Sequence, residues 1–175
     1  MIVNKQAIRI GTNKDLQEVF DIFSRCKTDL DKKGIYQWDE NYPNVEYFAD
    51  KILKEELYIL ESAEKVLGAF VMDESQPEEW ERINWQKKEE KFLVLHSVFL
   101  EPEHQGSGYG KTILSFAEDF ANRAGYRTIR LDAFSKNMNS VMFYDKNGYI
   151  KRGEVTFTSK PINNQVYYCF EKVLK

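Results

Sequence analysis

The chain has 175 residues and a formal net charge of −3, with 42% hydrophobic and 30% charged residues. This length predicts one domain spanning residues 1–175, burying roughly 68–70% of its unfolded surface, and the composition excludes a disordered chain. No block of Lys or Arg is long enough to track a phosphate backbone, which argues against nucleic acid, and apolar runs such as Phe92–Leu95 are far too short to cross a membrane.

The first ten residues lack a cationic region followed by a long apolar stretch, so no signal peptide is expected and the expected compartment is the cytoplasm. Cys26 and Cys169 are far apart and show no metal or redox spacing; two reduced core thiols and no bound metal are expected. Aromatic residues make up 14% of the chain, which suggests a well-filled core or a ring-lined pocket.

Ala7–Ile10 reads as an edge strand. Thr12 and Asp15 have capping-box spacing, and Leu16, Val19, Phe20, Phe23 and Leu30 then follow a helical period until Gly34. The polar and aromatic segment Ile35–Pro43 reads as an ordered loop. A second helix is expected from Asn44 through Leu53. Leu57–Leu60 and Val66–Met72 read as a hairpin turning over Glu61–Lys65. The acidic, Trp-bearing stretch Asp73–Glu90 predicts a long loop or a short surface helix.

Phe92–Leu100 has the strongest strand pattern in the chain, ended by Pro102. A glycine-rich turn at Gln105–Gly110 follows. Beyond it lies a helix with Ile113, Leu114, Ala117, Phe120, Ala121 and Ala124 on one face, stopped by Gly125. Ile129, Leu131 and Ala133 alternate as in a strand. Asn137 caps a helix that ends at Asn147-Gly148, and two strands joined through Pro161 and Asn163-Asn164 close the chain. The predicted order is β-α-α-β-β-β-α-β-α-β-β, an α/β fold with a mixed central sheet flanked by helices.

A strand, a glycine-rich turn and a helix start together make an anion site. Glycines allow close backbone approach and positive φ, and the first amides of a helix lack intrahelical acceptors. Two common templates miss by one position. A phosphate-binding G-x-x-x-x-G-K-[ST] loop ends correctly at Gly110-Lys111-Thr112 but needs a glycine where Gln105 stands. The dinucleotide pattern G-x-G-x-x-G fits Gly106 and Gly108 but needs a third glycine where Lys111 stands.

Gln105-x-x-Gly108-x-Gly110 instead matches [RQ]-x-x-G-x-[GA], and Asn137 to Tyr149 matches N-x6-Y-x3-G-[FY]. With the strand Leu95–Pro102 before them, these motifs resemble the GNAT superfamily of N-acetyltransferases along nearly the whole chain. The resemblance implies acetyl-CoA as co-substrate and a direct transfer of acetyl to a primary amine, with no covalent enzyme intermediate.

By resemblance, the amides of Gly106, Ser107, Gly108, Tyr109, Gly110 and Lys111 would hold the pyrophosphate, with Gln105 at the motif's first position. The backbone of Val98, Phe99 and Leu100 would pair with the pantetheine arm, on a strand that carries a bulge in other members. Asn137 matches a cofactor contact, and equally reads as a plain helix cap. Tyr144 matches the general acid, against the simpler reading of a packed helix ring.

The acceptor amine also needs a base. His96, two positions before Val98, is the first candidate, with Glu101 and Asp73 behind it. His104 beside the turn would only lie near phosphate. A segment similar to Gln37-Trp38-x-x-x-Tyr42-Pro43 recurs in a group of bacterial members taken to act on small molecules. Trp38 and Tyr42 would then wall the acceptor pocket and Asp39 or Glu40 would attract a cation; ring packing that pins the loop is the equal alternative. Family analogy also suggests a homodimer. A non-catalytic acyl-CoA sensor on the same fold, and a nucleotide phosphotransferase resting on Gly110-Lys111-Thr112, stay open as other functions.

Overall fold

A computed structural model describes residues 6–175. The elements are β1 (Gln6–Ile10), α1 (Leu16–Lys32), α2 (Val45–Leu53), β2 (Leu57–Ser62), β3 (Lys65–Asp73), β4 (Phe92–Leu100), α3 (Tyr109–Arg123), β5 (Thr128–Phe134), α4 (Met138–Lys146), β6 (Ile150–Thr156) and β7 (Val166–Val173). Short 3-10 turns occupy Asn13–Asp15, Glu78–Arg82, Pro102–His104 and Ile162–Asn164. The order of helices and strands is the one the sequence predicts. The strands form one seven-stranded mixed sheet in the order β1-β2-β3-β4-β5-β7-β6. Two compact units share the chain, one of residues up to 72 with 96–116, the other of 73–95 with 117–175.

In the first unit the chain enters α1 through the capping box foreseen at Thr12 and Asp15. The Asp15 carboxylate accepts from the Thr12 amide at 2.7 Å and from its hydroxyl at 2.9 Å. Val19, Ile22, Phe23 and Cys26 recur at helical spacing and are all buried. They meet Phe48 and Ile52 of α2 and Phe99 of β4 in one cluster. Phe23, Phe48 and Phe99 form its centre, with ring centroids 5.4–5.7 Å apart. Truncating a fully buried ring such as Phe48 to Ala costs about 3–5 kcal/mol. Asn44 caps α2, its side-chain oxygen accepting from the Tyr47 amide.

The hairpin is tighter than the sequence suggests. β2 and β3 extend to Ser62 and Lys65, which face each other, so the turn is Ala63-Glu64 alone. Both residues take positive φ, 49° and 63°, as a two-residue turn with the strands' twist requires. No Asn-Gly signal marks it, so only the pairing reveals it. Gly68 lets β3 pass close to β4: a Cβ there would stand 2.3 Å from the Phe99 carbonyl oxygen.

In the second unit, β5 pairs in parallel with β4 over Phe92–Val94 and antiparallel with β7 along Thr128–Phe134. The stretch Asp73–Glu90 is a long loop with one short 3-10 turn, as expected, but it is anchored from within: Trp80 and Trp85 are 1% and 4% exposed. Their indoles pack at 5.3 Å, and the Trp85 indole N–H donates to the Trp80 carbonyl. Two buried charges hold the segment down. Arg130 lies over the rings of Trp85 and Phe92 and donates to the Gln76 side chain and the Lys87 carbonyl. Glu171, fully buried, accepts from the Gln86 and Lys87 amides, the Thr128 hydroxyl and Arg152. The apolar alternation seen in β5 is therefore incomplete, because Thr128 and Arg130 between those positions are also buried.

Candidate cofactor and acceptor sites

The glycine-rich turn lies in the first unit and is built by what surrounds it in sequence. Pro102 starts a single 3-10 turn after β4; the His104 amide donates to the Glu101 carbonyl and the Gln105 amide to the Pro102 carbonyl. Gly106 and Gly108 then take φ of 79° and 88°, a region nearly closed to other residues. A Cβ built on either would have no atom within 4 Å, and Gly106, Ser107 and Gly108 are exposed. The glycines serve backbone conformation and leave open space where a ligand would approach.

α3 starts at Tyr109. The Lys111 amide, expected to face the anion, donates to the Gly108 carbonyl at 3.0 Å. Among the described residues, none accepts from the backbone amides of Gly106, Ser107 and Gly108. Together with the helix dipole, these amides favour negative charge. The turn therefore fits a diphosphate through main-chain donors.

The Gln105 side chain does not project into this cradle. It reaches back and donates to the Leu100 carbonyl at 3.1 Å. The buried Cys26 thiol of α1 donates to the same oxygen at 2.9 Å. Burial pushes that thiol up to about 12, so it stays protonated and can donate. Next to it, Arg25 binds both oxygens of Glu101 at 2.8 and 2.7 Å. Arg25 holds the Glu101 carboxyl below its usual range, which makes Glu101 a weak proton acceptor. The sequence marks Cys26 only as a core thiol and does not single out Arg25; both lie on a regular helix, and only the fold brings them to the end of β4.

His96, Val98 and Leu100 are half-buried on β4, and Phe99 is buried in the core. Between His96 and Val98, Ser97 takes φ 47°, a strained value for a residue with a side chain. Alternation of faces does not carry across such a residue, so the two-residue spacing does not by itself put His96 and Val98 on one face. The Ser97 hydroxyl donates to the Tyr47 hydroxyl at 3.3 Å, a contact the sequence does not signal. Tyr47 also packs on the exposed Tyr42 ring, with centroids 4.8 Å apart. His104 sets its ring edge-on to Tyr109 beside the turn.

The loop before α2 is held by contacts at each of its candidate positions. The Trp38 ring lies against Phe23 at 4.9 Å, joined to the core cluster. The Asp39 carboxylate accepts from the amides of Asn41 and Tyr42, an internal turn of the loop. Glu40 pairs with Lys27 at 3.3 Å. These contacts account for Trp38 and Asp39 as loop-pinning residues, and leave Tyr42 as the exposed ring.

The second unit carries Asn137, the N-cap of α4, and Tyr144, seven residues on within the helix. Asn137 is buried and caps the helix, accepting from the Ser140 amide at 3.2 Å. The Tyr144 ring is 8% exposed and packs on Tyr149 and Phe170. Burial, and after it the charge of Asp132, pushes the Tyr144 phenol well above its ordinary value. Asp73 is also buried in this unit and accepts from the Ser75 amide at 2.8 Å. Among the described residues, no cluster of three or more His, Cys, Asp or Glu could hold a metal ion, and no helix is long and apolar enough to cross a membrane.

The pattern of the acetyltransferase (GNAT) family matches residues 16–149. An uncharacterised N-acetyltransferase of Methanocaldococcus jannaschii is 23% identical over 152 residues, which span 85% of this chain but 62% of that protein. A GNAT-family acetyltransferase of Streptococcus agalactiae superposes with a TM-score of 0.82 at 18% identity, over 97% of this chain and 96% of that one. A Salmonella typhimurium acetyltransferase solved with its cofactor acetyl-CoA gives 0.68 at 17% identity, over 98% and 95%. These two share the fold. The family pattern covers most of the chain, including the glycine-rich turn and both motifs, and the chain belongs to the GNAT family of acetyltransferases.

Proposed function

We propose that the chain is an acetyl-CoA-dependent N-acetyltransferase acting on a primary amine of a small molecule, by direct transfer within a ternary complex. The observation that carries this reading is the cradle of Gly106, Ser107 and Gly108: exposed, open above both glycines, and opening a fifteen-residue helix. Those amides, with Tyr109 and Gly110, would hold the diphosphate of coenzyme A. Lys111 would add its side-chain charge, since its amide is used within the helix. Val98 and Leu100 would offer main-chain groups to the pantetheine arm, and Phe99 anchors the strand from the core side.

Bound acetyl-CoA supplies an acetyl group activated as a thioester. Tyr144 keeps its proton at every physiological pH, because burial disfavours the phenolate. It therefore carries a proton for a departing thiolate, whose conjugate thiol has a pKa of about 8.5, although burial also makes it a weaker acid than a free phenol. His96 would accept the proton of the acceptor ammonium, directly or through water. Asn137 holds the start of α4, and so the orientation of the helix that carries Tyr144. Tyr42 remains the candidate acceptor contact.

The test is an assay of a broad amine panel that follows release of free coenzyme A thiol. Acetyl-CoA-dependent release with at least one small amine is the expected result. Binding of acetyl-CoA with no transfer to any amine would replace the enzyme by an acyl-CoA sensor.

A further inference from the structure

We propose that the Gln105 side chain is a displaceable latch on the Leu100 carbonyl, released when a pantetheine arm binds along β4. The inference rests on the acetyl-CoA reading above.

The direction of the carbonyl follows from the backbone. The Glu101 amide donates to the Leu67 carbonyl of β3 at 2.8 Å. In a trans peptide the C=O and the following N–H point opposite ways. The Leu100 carbonyl therefore points away from β3, toward the side of β4 that a strand-like ligand arm would take.

That oxygen already has two donors, and a carbonyl oxygen has two lone pairs. Cys26 reaches it from the core at 2.9 Å and is 2% exposed, so it has nowhere else to go. Gln105 reaches it from the surface at 3.1 Å, on an exposed residue next to Gly106, whose φ is 79°. Only the amide nitrogen of Gln105 can face a carbonyl, so the assignment of its two ends is unambiguous. A pantetheine N–H aimed at Leu100 meets a filled acceptor, and the exposed Gln105 bond is the one that can yield. In the free protein this bond spans the Pro102–His104 turn and holds the cradle's approach in place. Its exchange for a ligand N–H swaps one neutral hydrogen bond for another.

The experiment compares wild type with Gln105→Met, which keeps the side chain's length and loses the donor. Each is titrated calorimetrically with acetyl-CoA and, separately, with adenosine 3′-phosphate 5′-diphosphate, which has the phosphates and no pantetheine. Removing a competing exposed hydrogen bond should tighten acetyl-CoA binding by about three- to tenfold, with the nucleotide's affinity unchanged. Gln105→Ala, checked like the first variant by thermal unfolding, should give the same pattern. Unchanged or weaker acetyl-CoA binding would overturn the latch, and so would equal shifts for both ligands, which would trace the effect to the turn. Wild type that binds no acetyl-CoA would overturn the acetyl-CoA reading itself, and the latch with it.

Discussion

Arg25 grips the Glu101 carboxylate with two parallel hydrogen bonds, Nε to Oε1 at 2.8 Å and Nη2 to Oε2 at 2.7 Å. One residue on, Cys26 binds the Leu100 carbonyl. A single turn of α1 thus holds two successive residues at the end of β4. Glu101 is 9% exposed, so removing its partner leaves a carboxylate with little water to replace it. The Arg25 side chain is 54% exposed, which screens the pair. Arg25→Met should cost about 1–2 kcal/mol in urea unfolding. The double variant with Glu101→Gln should recover part of that loss; no loss in Arg25→Met would mean that the pair contributes nothing, and no recovery that the loss does not come from the stranded carboxylate.

Asp15 sets an acid limit on stability. Its hydrogen bonds from Arg9, and then from Thr12, outweigh burial and lower its pKa from 3.8 to about 2. A group depressed in the folded state stabilises it above the unfolded pKa and loses that effect as pH falls through the folded one. Its contribution, on the order of 2 kcal/mol, should be complete above about pH 5 and vanish progressively toward pH 2. Thermal unfolding across this range should show a shallower acid limb in Asp15→Asn, which is also less stable at pH 7. An unaltered limb would remove Asp15 as its source.

Gly108 separates conformation from space. Its φ of 88° would strain any other residue, at about 1–2 kcal/mol, while no atom stands within 4 Å of an added Cβ. Gly108→Val should therefore fold with a modest loss of stability and bind acetyl-CoA at least tenfold more weakly, roughly the loss of one good hydrogen-bonding group. Gly34→Ala, at φ 74° and equally open, should show the stability loss without the change in affinity. Calorimetry on both variants makes the comparison, and equal affinities would take the turn out of the cofactor site.

Tyr144→Phe removes one oxygen from a buried ring that the neighbouring Tyr149 and Phe170 rings still pack. Turnover should fall by about 100- to 1000-fold, the usual weight of a positioned acid, with acetyl-CoA affinity little changed. The wild-type rate should also show no loss of this acid up to the ordinary tyrosine range, since burial raises its pKa. Turnover equal to wild type would exclude Tyr144 as the donor.

Much of this was legible locally. The capping box at Thr12, the Asn44 and Asn137 caps, and the glycine stops are decided within a few residues, by which amide a side chain can reach. The turn after β4 was legible for the same reason, since two glycines and a helix start declare where main-chain amides are free. The Ala63-Glu64 turn was not, because ordinary residues are forced there by the pairing of the strands on either side. Trp38, Trp80 and Trp85 were ambiguous because a ring fits a core or a pocket equally well; packing buries Trp80 and Trp85, and leaves Trp38 partly exposed against the core cluster.

The sequence by itself determined the order of elements, the helix ends and the glycine-rich turn, because each depends on neighbours a few bonds apart. Tertiary structure alone decided who shares the Leu100 carbonyl, with Cys26 74 positions away. It alone decided what satisfies Glu171, whose amide donor at Gln86 is 85 positions away. Such partners are selected by the burial of polar groups that water can no longer reach, and a residue's burial is a property of the packed chain.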